Sequence, residues 1–368
     1  MSDFEFIPRA VVWEITFACN MNCIHCGTAA GKKRENELTT EEAMHLIDEL
    51  ADLGATQITL SGGEPMLRKD WRELARKVKS RGVQCLLITN GYIVTQEIVN
   101  DFAALKIDRV GVSLDGMQET HDKIRRRKNS WERAINALKM ICDNGTIAHT
   151  AVSSISTLNF HELDQIRDKL LEIGCKRWRI QMVTGTGRMQ ESKNEVMTVE
   201  MLPRFIDKLI EYKKDNRIHI SVGENIGYFG CRGTELWDDM PYFGCFAGTR
   251  IAGVESDGTV KGCLSMPEDF VEGNIRDSSF KDIWNNPEGF AYNRQFTRET
   301  ADGECHDCRY LPLCRGGCTT TSFAATGSRA NNPYCIYRIE KKQGIKPRET
   351  QLIRDILADF EPVEAAAD

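Results

Sequence analysis

The chain has 368 residues, 41% of them hydrophobic and 28% charged, with a net charge of −6. That size suits one large or two ordinary domains with ample core. The acidic balance excludes broad binding to nucleic acid or anionic membranes, and no apolar run approaches the ~18 residues of a membrane span.

From residue 11 to about 215 the chain alternates between two kinds of pattern. Short apolar or β-branched runs predict strands at 11–17, 57–60, 84–89, 109–114, 150–156 and 177–183. Helical periodicity lies between and after them. Thr40-Glu41-Glu42-Ala43 opens the first helix, with Ala43, Leu46, Ile47, Leu50 and Leu53 on one face. The others are expected at 71–80, 96–105, 131–142, 161–173 and 199–214. Strand–helix units in series predict a parallel sheet, open or curled. The basic run Lys123–Lys128 reads mostly as a solvated loop. After about residue 220 helical periodicity drops and seven more cysteines appear in an ordered set, so a second domain is expected.

The unusual residues all follow a strand. Cys19, Cys23 and Cys26 follow the first, Ser61-Gly62-Gly63-Glu64-Pro65 the second, Asn90-Gly91 the third and Asp115-Gly116 the fourth. Thr157-Leu158-Asn159 follows the fifth and the segment Thr184–Arg188 the sixth. In parallel α/β folds ligands bind at the carboxyl ends of strands, so these motifs are expected to converge on one face. Fourteen cysteines, with no signal-peptide pattern at Met1-Ser2-Asp3-Phe4-Glu5, point to metal or redox chemistry in a reducing cytoplasm rather than to disulfides.

Three thiolates in C-x3-C-x2-C spacing are one short of the four that iron–sulfur clusters normally take. A zinc knuckle completed by His25 is the alternative. This loop, with Ser61–Pro65 one βα unit later, resembles the radical S-adenosylmethionine (SAM) superfamily. The resemblance implies a [4Fe–4S] cluster on Cys19, Cys23 and Cys26, with SAM on its open iron. It also implies that Gly62, Gly63 and Glu64 hold the SAM amino group, and that Ser113 and Asp115 face its carboxylate or ribose. The segment Val112–Gly116 with His121, Asp122 and Arg125 resembles the peptide-modifying branch, although Arg126-Arg127-Lys128-Asn129 stands where members have a glycine. Asn90, Ser154 and Gln181 are ribose or adenine contacts by position alone, and each could equally be a satisfied strand-end polar group.

Cys245 and Cys263 frame C-x12-G-x4-C around a hairpin with an Asp257-Gly258 turn. Cys305, Cys308, Cys314 and Cys318 follow in C-x2-C-x5-C-x3-C, then Cys335. This order resembles the SPASM domain, which carries two auxiliary [4Fe–4S] clusters. By resemblance Cys305, Cys308, Cys314 and Cys335 hold the outer cluster, and Cys245, Cys263 and Cys318 the inner one. Zinc ribbons are the alternative. Cys231, in Gly230-Cys231-Arg232-Gly233, is expected to complete the inner cluster, to donate a hydrogen atom to a substrate radical, or to be a structural thiol. Cys85, Cys142 and Cys175 are expected to be buried small hydrophobes.

The implied fold is α/β: a partial (β/α)6 TIM-like barrel followed by a small cysteine-rich SPASM domain with a β-hairpin. The expected boundaries are 1–215 for the barrel, 216–244 for a bridge, 245–345 for the SPASM domain and 346–368 for a helix and frayed tail. The implied cofactors are SAM and three [4Fe–4S] clusters, one SAM-binding and two auxiliary. The implied activity is reductive cleavage of SAM to a 5′-deoxyadenosyl radical that abstracts hydrogen from a ribosomally made peptide or protein, giving a crosslink or oxidation. The few residues before Cys19 leave no room for a fused leader-binding domain, so a separate leader-binding protein is a possible partner. A flavodoxin or ferredoxin is the expected electron donor. Two alternatives stay open: a radical SAM dehydrogenase or epimerase of a sugar or aminoglycoside, and a non-catalytic zinc-binding protein.

Overall fold

The computed structural model describes residues 6–360, so Met1–Glu5 and the tail 361–368 lie outside the described residues. Ten strands form one sheet in the order β10-β9-β8-β1-β2-β3-β4-β5-β6-β7. The parallel part is β1 (Ala10–Glu14), β2 (Gln57–Ser61), β3 (Gln84–Thr89), β4 (Arg109–Ser113), β5 (Ala148–Ile155), β6 (Arg177–Met182) and β7 (His219–Val222). β8 (Ile251–Val254) pairs parallel to β1, and β9 (Thr259–Lys261) and β10 (Val271–Asn274) continue antiparallel. The helices that follow the first six strands and the seventh in turn are α1 (Thr40–Asp52), α2 (Trp71–Ser80), α3 (Gln96–Ala104), α4 (Gln118–Arg125) and α5 (Ser130–Asn144), α6 (Leu163–Glu172), α7 (Leu202–Asp215) and α8 (Gly230–Leu236).

Local chemistry sets these elements. The Thr39 hydroxyl accepts from the Glu42 amide at 3.2 Å, and the Glu42 carboxylate accepts from the Thr39 amide at 2.7 Å. This capping box satisfies amides that the first turn of α1 would otherwise leave unpaired. Ala43, Leu46, Ile47 and Leu50 then form its buried stripe. In β3, Cys85, Leu87 and Thr89 are buried alternately, the period-2 pattern of a strand with one face inward.

The residues fall into two compact units. The first holds 6–197, 215–223 and 246–295, and so contains the whole sheet, including the hairpin of β8 and β9. The second holds 198–214, 224–245 and 296–360.

The structure adds three features to the expected α/β partial barrel. A seventh parallel strand, β7, extends the expected six, and its four residues with polar His219 and Ser221 carry too little alternation to stand out. The hairpin joins the parallel sheet through β8, beside β1. The basic run is half helical: α4 ends at Arg125, and Arg126 closes it in the left-handed conformation. Only His121 and Ile124 anchor α4 inward, so its charge hides its periodicity. Arg127 lies over the Tyr92 ring at 4.6 Å.

Candidate active site

The loop after β1 carries Cys19, Cys23 and Cys26, and its shape is fixed from three sides. Gly63 donates its amide to Thr16 O at 2.8 Å, and Glu64 donates to Ala18 O at 2.8 Å. A Cβ on Gly63 would lie 2.3 Å from Ala18 O and 2.8 Å from Cys19 Cβ, so only glycine lets the two loops meet. From the far side, the Arg188 guanidinium donates to Cys23 O at 2.9 Å and Ala30 O at 3.0 Å, while its amide donates to Cys26 O at 3.1 Å. Gly187, at φ 55°, passes so close to Cys26 O and Gly27 that a Cβ would clash at 2.3 Å.

Behind the loop lies a buried polar hub. Asp115 is fully buried and pairs with His25 Nε2 at 2.9 Å and with the Arg125 guanidinium. Its Oδ1 accepts from the Ser154 amide at 2.9 Å. Burial would raise this carboxyl, but Arg125 and then His25 reverse the effect and hold it well below the usual carboxylate range. Arg125 also lies 3.8 Å from the Cys23 sulfur, so one guanidinium serves a carboxylate and a thiol together. The Asp115 amide donates to His121 Nδ1 at 3.0 Å, which places the His121 proton on Nε2, where no partner meets it. Burial, reinforced by Arg125, pushes His121 down to about 3, so it is neutral.

The predicted contacts gather here. The Gln181 amide donates to Ser154 Oγ at 3.1 Å. The Asn90 side chain donates to Asn20 Oδ1 in the thiol loop at 2.7 Å, and its own Oδ1 accepts from the Tyr92 amide at 2.9 Å. Glu64 is fully buried, accepting from Thr89 Oγ1 and the Asn90 amide, both at 2.8 Å. Burial pushes its carboxyl up to about 7 against those bonds. Ser113 ends β4, and Gly62, at φ 143°, sits against Thr16. Sequence reading missed Asn20 and Arg188. Position alone offered a signal for Arg188, which closes the motif after β6.

In the second unit, Cys305, Cys308, Cys314 and Cys335 line one small pocket with Tyr228, Asn332 and Arg338. Cys245 and Cys318 belong to the second unit and Cys263 to the first, just beyond β9. Cys231 lies in the first turn of α8, and its amide donates to the fully buried Glu340 carboxylate at 2.6 Å.

The thiols suit clusters better than single ions. None of the fourteen cysteines is in a disulfide. Among the described residues, neither the three loop thiols nor the four cavity thiols form a group tight enough for one metal ion. A four-iron cube holds each thiolate on its own iron, farther apart than ligands of one ion. His25 turns Nε2 to Asp115, not to the thiols, leaving buried Nδ1 without a partner beside the loop. That unpaired atom, the glycine cradle and the soft donor set fit a [4Fe–4S] cluster with a polar ligand beside it.

A parallel half-barrel whose strand ends present three thiols, a glycine cradle and a buried acid–arginine hub defines a cluster-and-SAM enzyme scaffold. Residues 13–172 match the radical SAM superfamily, and residues 245–309 match the SPASM iron–sulfur cluster-binding domain. An AdoMet-dependent heme synthase of Methanosarcina barkeri is 34% identical over 91% of this chain and 98% of its own. The mycofactocin maturase MftC of Mycolicibacterium smegmatis is 28% identical, over 86% of this chain and 79% of its own. In fold, Streptococcus suis SuiB bound to precursor peptide SuiA superposes with a TM-score of 0.72 at 16% identity, over 90% of this chain and 76% of that one. The chain belongs to the radical SAM superfamily and carries a SPASM domain, and it is a radical SAM enzyme. Members of this group use SAM and [4Fe–4S] clusters. Among the described residues no helix is long and apolar enough to cross a membrane.

Proposed function

We propose that this enzyme acts on an iron porphyrin in heme formation, with hydrogen abstraction at a saturated side-chain carbon. The observation that carries this reading is the 34% identity to a heme synthase across 98% of that protein. A relative named Fe-coproporphyrin III synthase, 28% identical over 88% of its length, supports the same substrate class. When bound, SAM on the three-thiol cluster supplies one-electron reductive cleavage and a carbon radical able to abstract hydrogen.

The chain's own residues would bind and aim. Cys19, Cys23 and Cys26 would hold the SAM-binding cluster. Gly62, Gly63 and Glu64 would hold the SAM amino group, with Ser113, Asp115, Asn90, Ser154 and Gln181 around its carboxylate, ribose and adenine. Asp115 is already paired with Arg125 and His25, which would fix the floor of that site before ligand arrives. Cys305, Cys308, Cys314 and Cys335 would hold one auxiliary cluster. Cys245, Cys263 and Cys318 would hold the other, with Cys231 as its further ligand or as a hydrogen donor, making three in all. The work would take place in a reducing cytoplasm with a flavodoxin or ferredoxin as donor.

A ribosomally made peptide is the second reading, favoured by the 28% identity to a peptide maturase. The test is anaerobic turnover with SAM, dithionite and Fe-coproporphyrin III, followed by mass spectrometry. A new iron porphyrin formed in step with 5′-deoxyadenosine is expected. 5′-Deoxyadenosine without any change in the porphyrin would remove the porphyrin reading and leave the peptide.

A further inference from the structure

Cys142, His149 and Cys175 are far from the chemistry described above, yet they converge. One ligand atom from each lies within 4.8 Å of the others, the one such group of His, Cys, Asp or Glu among the described residues. They come from three places. Cys142 is in the last turn of α5, His149 is the second residue of β5, and Cys175 stands between α6 and β6. Gly145 at φ 72° and Gly174 at φ 74° end the two helices in the left-handed conformation, turning the chain back into β5 and β6. These turns set the two sulfurs around one imidazole at the amino-terminal end of the strands. The SAM-site residues are at the opposite end, and Ser154 is five residues along β5 from His149, about 16 Å at strand rise.

We propose that this triad is a Cys2His site for a single zinc ion, independent of the three iron–sulfur clusters. Two thiolates and an imidazole are the donors zinc prefers, and three protein ligands leave its fourth position to water. The metal takes both sulfurs as thiolates, so the doubly charged ion and two thiolates make a neutral centre. The ring is already oriented: His149 Nδ1 lies 3.3 Å from Ile147 O, the backbone-carbonyl partner that holds ligating histidines in place. Nε2 then faces the metal, giving up a long 3.3 Å contact from the Lys176 amide. Cys175 Sγ, 3.2 Å from Arg177 O, would leave that carbonyl for the metal as a thiolate. Cys175 is buried while Cys142 and His149 are half-buried, so an ion can reach the site from the surface. The expectation that Cys142 and Cys175 are inert small hydrophobes overlooked this, because His149 is seven residues from one and twenty-six from the other.

The test uses the fully reconstituted enzyme, so that the cluster cysteines are already occupied. After exposure to zinc chloride and desalting, one zinc per chain should remain with iron and sulfide unchanged. Its X-ray absorption should show two sulfur ligands. Cys142→Ser and His149→Gln, both at half-buried positions, should each weaken retention at least tenfold. Cys175→Ala should do the same if it folds, and the other two variants carry the test if it does not. Zinc that is not retained, is retained equally by both half-buried variants, shows only oxygen ligands, or enters at the expense of iron would overturn the proposal.

Discussion

Cys26→Ala should lower SAM cleavage by at least a thousandfold while leaving the proposed auxiliary clusters in place. Two thiols cannot hold a cube that already has one open iron. Cys26 is the cleanest of the three to remove. It is half-buried, and its sulfur has a single weak contact, 3.7 Å to Thr28 Oγ1. Cys23 instead touches Arg125, and its removal would disturb the polar hub as well. At Cys19, burial pushes the thiol up to about 12, so assembly there must drive off a tightly held proton. The measurement is iron content with 5′-deoxyadenosine yield. A loss of about four irons out of about twelve, with the rest retained, is the expected pattern. Full iron loss would mean that the clusters assemble as one unit.

Asp115→Asn should destabilise the first unit by roughly 3–5 kcal/mol, the usual cost of removing one partner from a buried ion pair. The amide keeps an oxygen for the Ser154 amide but leaves Arg125, whose side chain is only 11% exposed, without its carboxylate. The pH dependence has a definite sign. The folded carboxyl sits well below its unfolded value near 3.9, so its contribution is complete above that pH. It is lost as pH falls through the folded value. The difference in stability between native protein and variant should therefore be constant from pH 6 to 8 and shrink only below about 4. Denaturant unfolding across that range checks this. A difference that changes between pH 6 and 8 would show that a group other than Asp115 controls the hub.

How much of this was legible in the sequence depends on the length scale of each signal. Gln84–Thr89 and Trp71–Ser80 were read to the residue, because alternation or 3.6 periodicity runs their whole length. Thiol spacing was equally clear, since C-x3-C-x2-C is local. Long-range pairing was not. Nothing in Ile251–Val254 says that it adds to β1, some 240 residues earlier in the chain. The Asp115 hub was half legible: its motif was visible, but its partners His25, Arg125 and Ser154 are set by tertiary folding. Arg125 stands in the motif read after Asp115, but nothing in the basic run marks it as the residue that turns to that carboxylate. The Cys142–His149–Cys175 group has no motif at all, as its spacing belongs to two αβ turns rather than to one loop.

On this reading the thiol loop, gripped by Gly63 and Arg188, would carry a cluster with one iron free for SAM. Anaerobic incubation of the reconstituted protein with SAM and dithionite, followed by quantification of 5′-deoxyadenosine and methionine, tests it without any substrate. Equal amounts of both, absent from Cys26→Ala, are predicted. Intact SAM in fully metallated, reduced protein would contradict it.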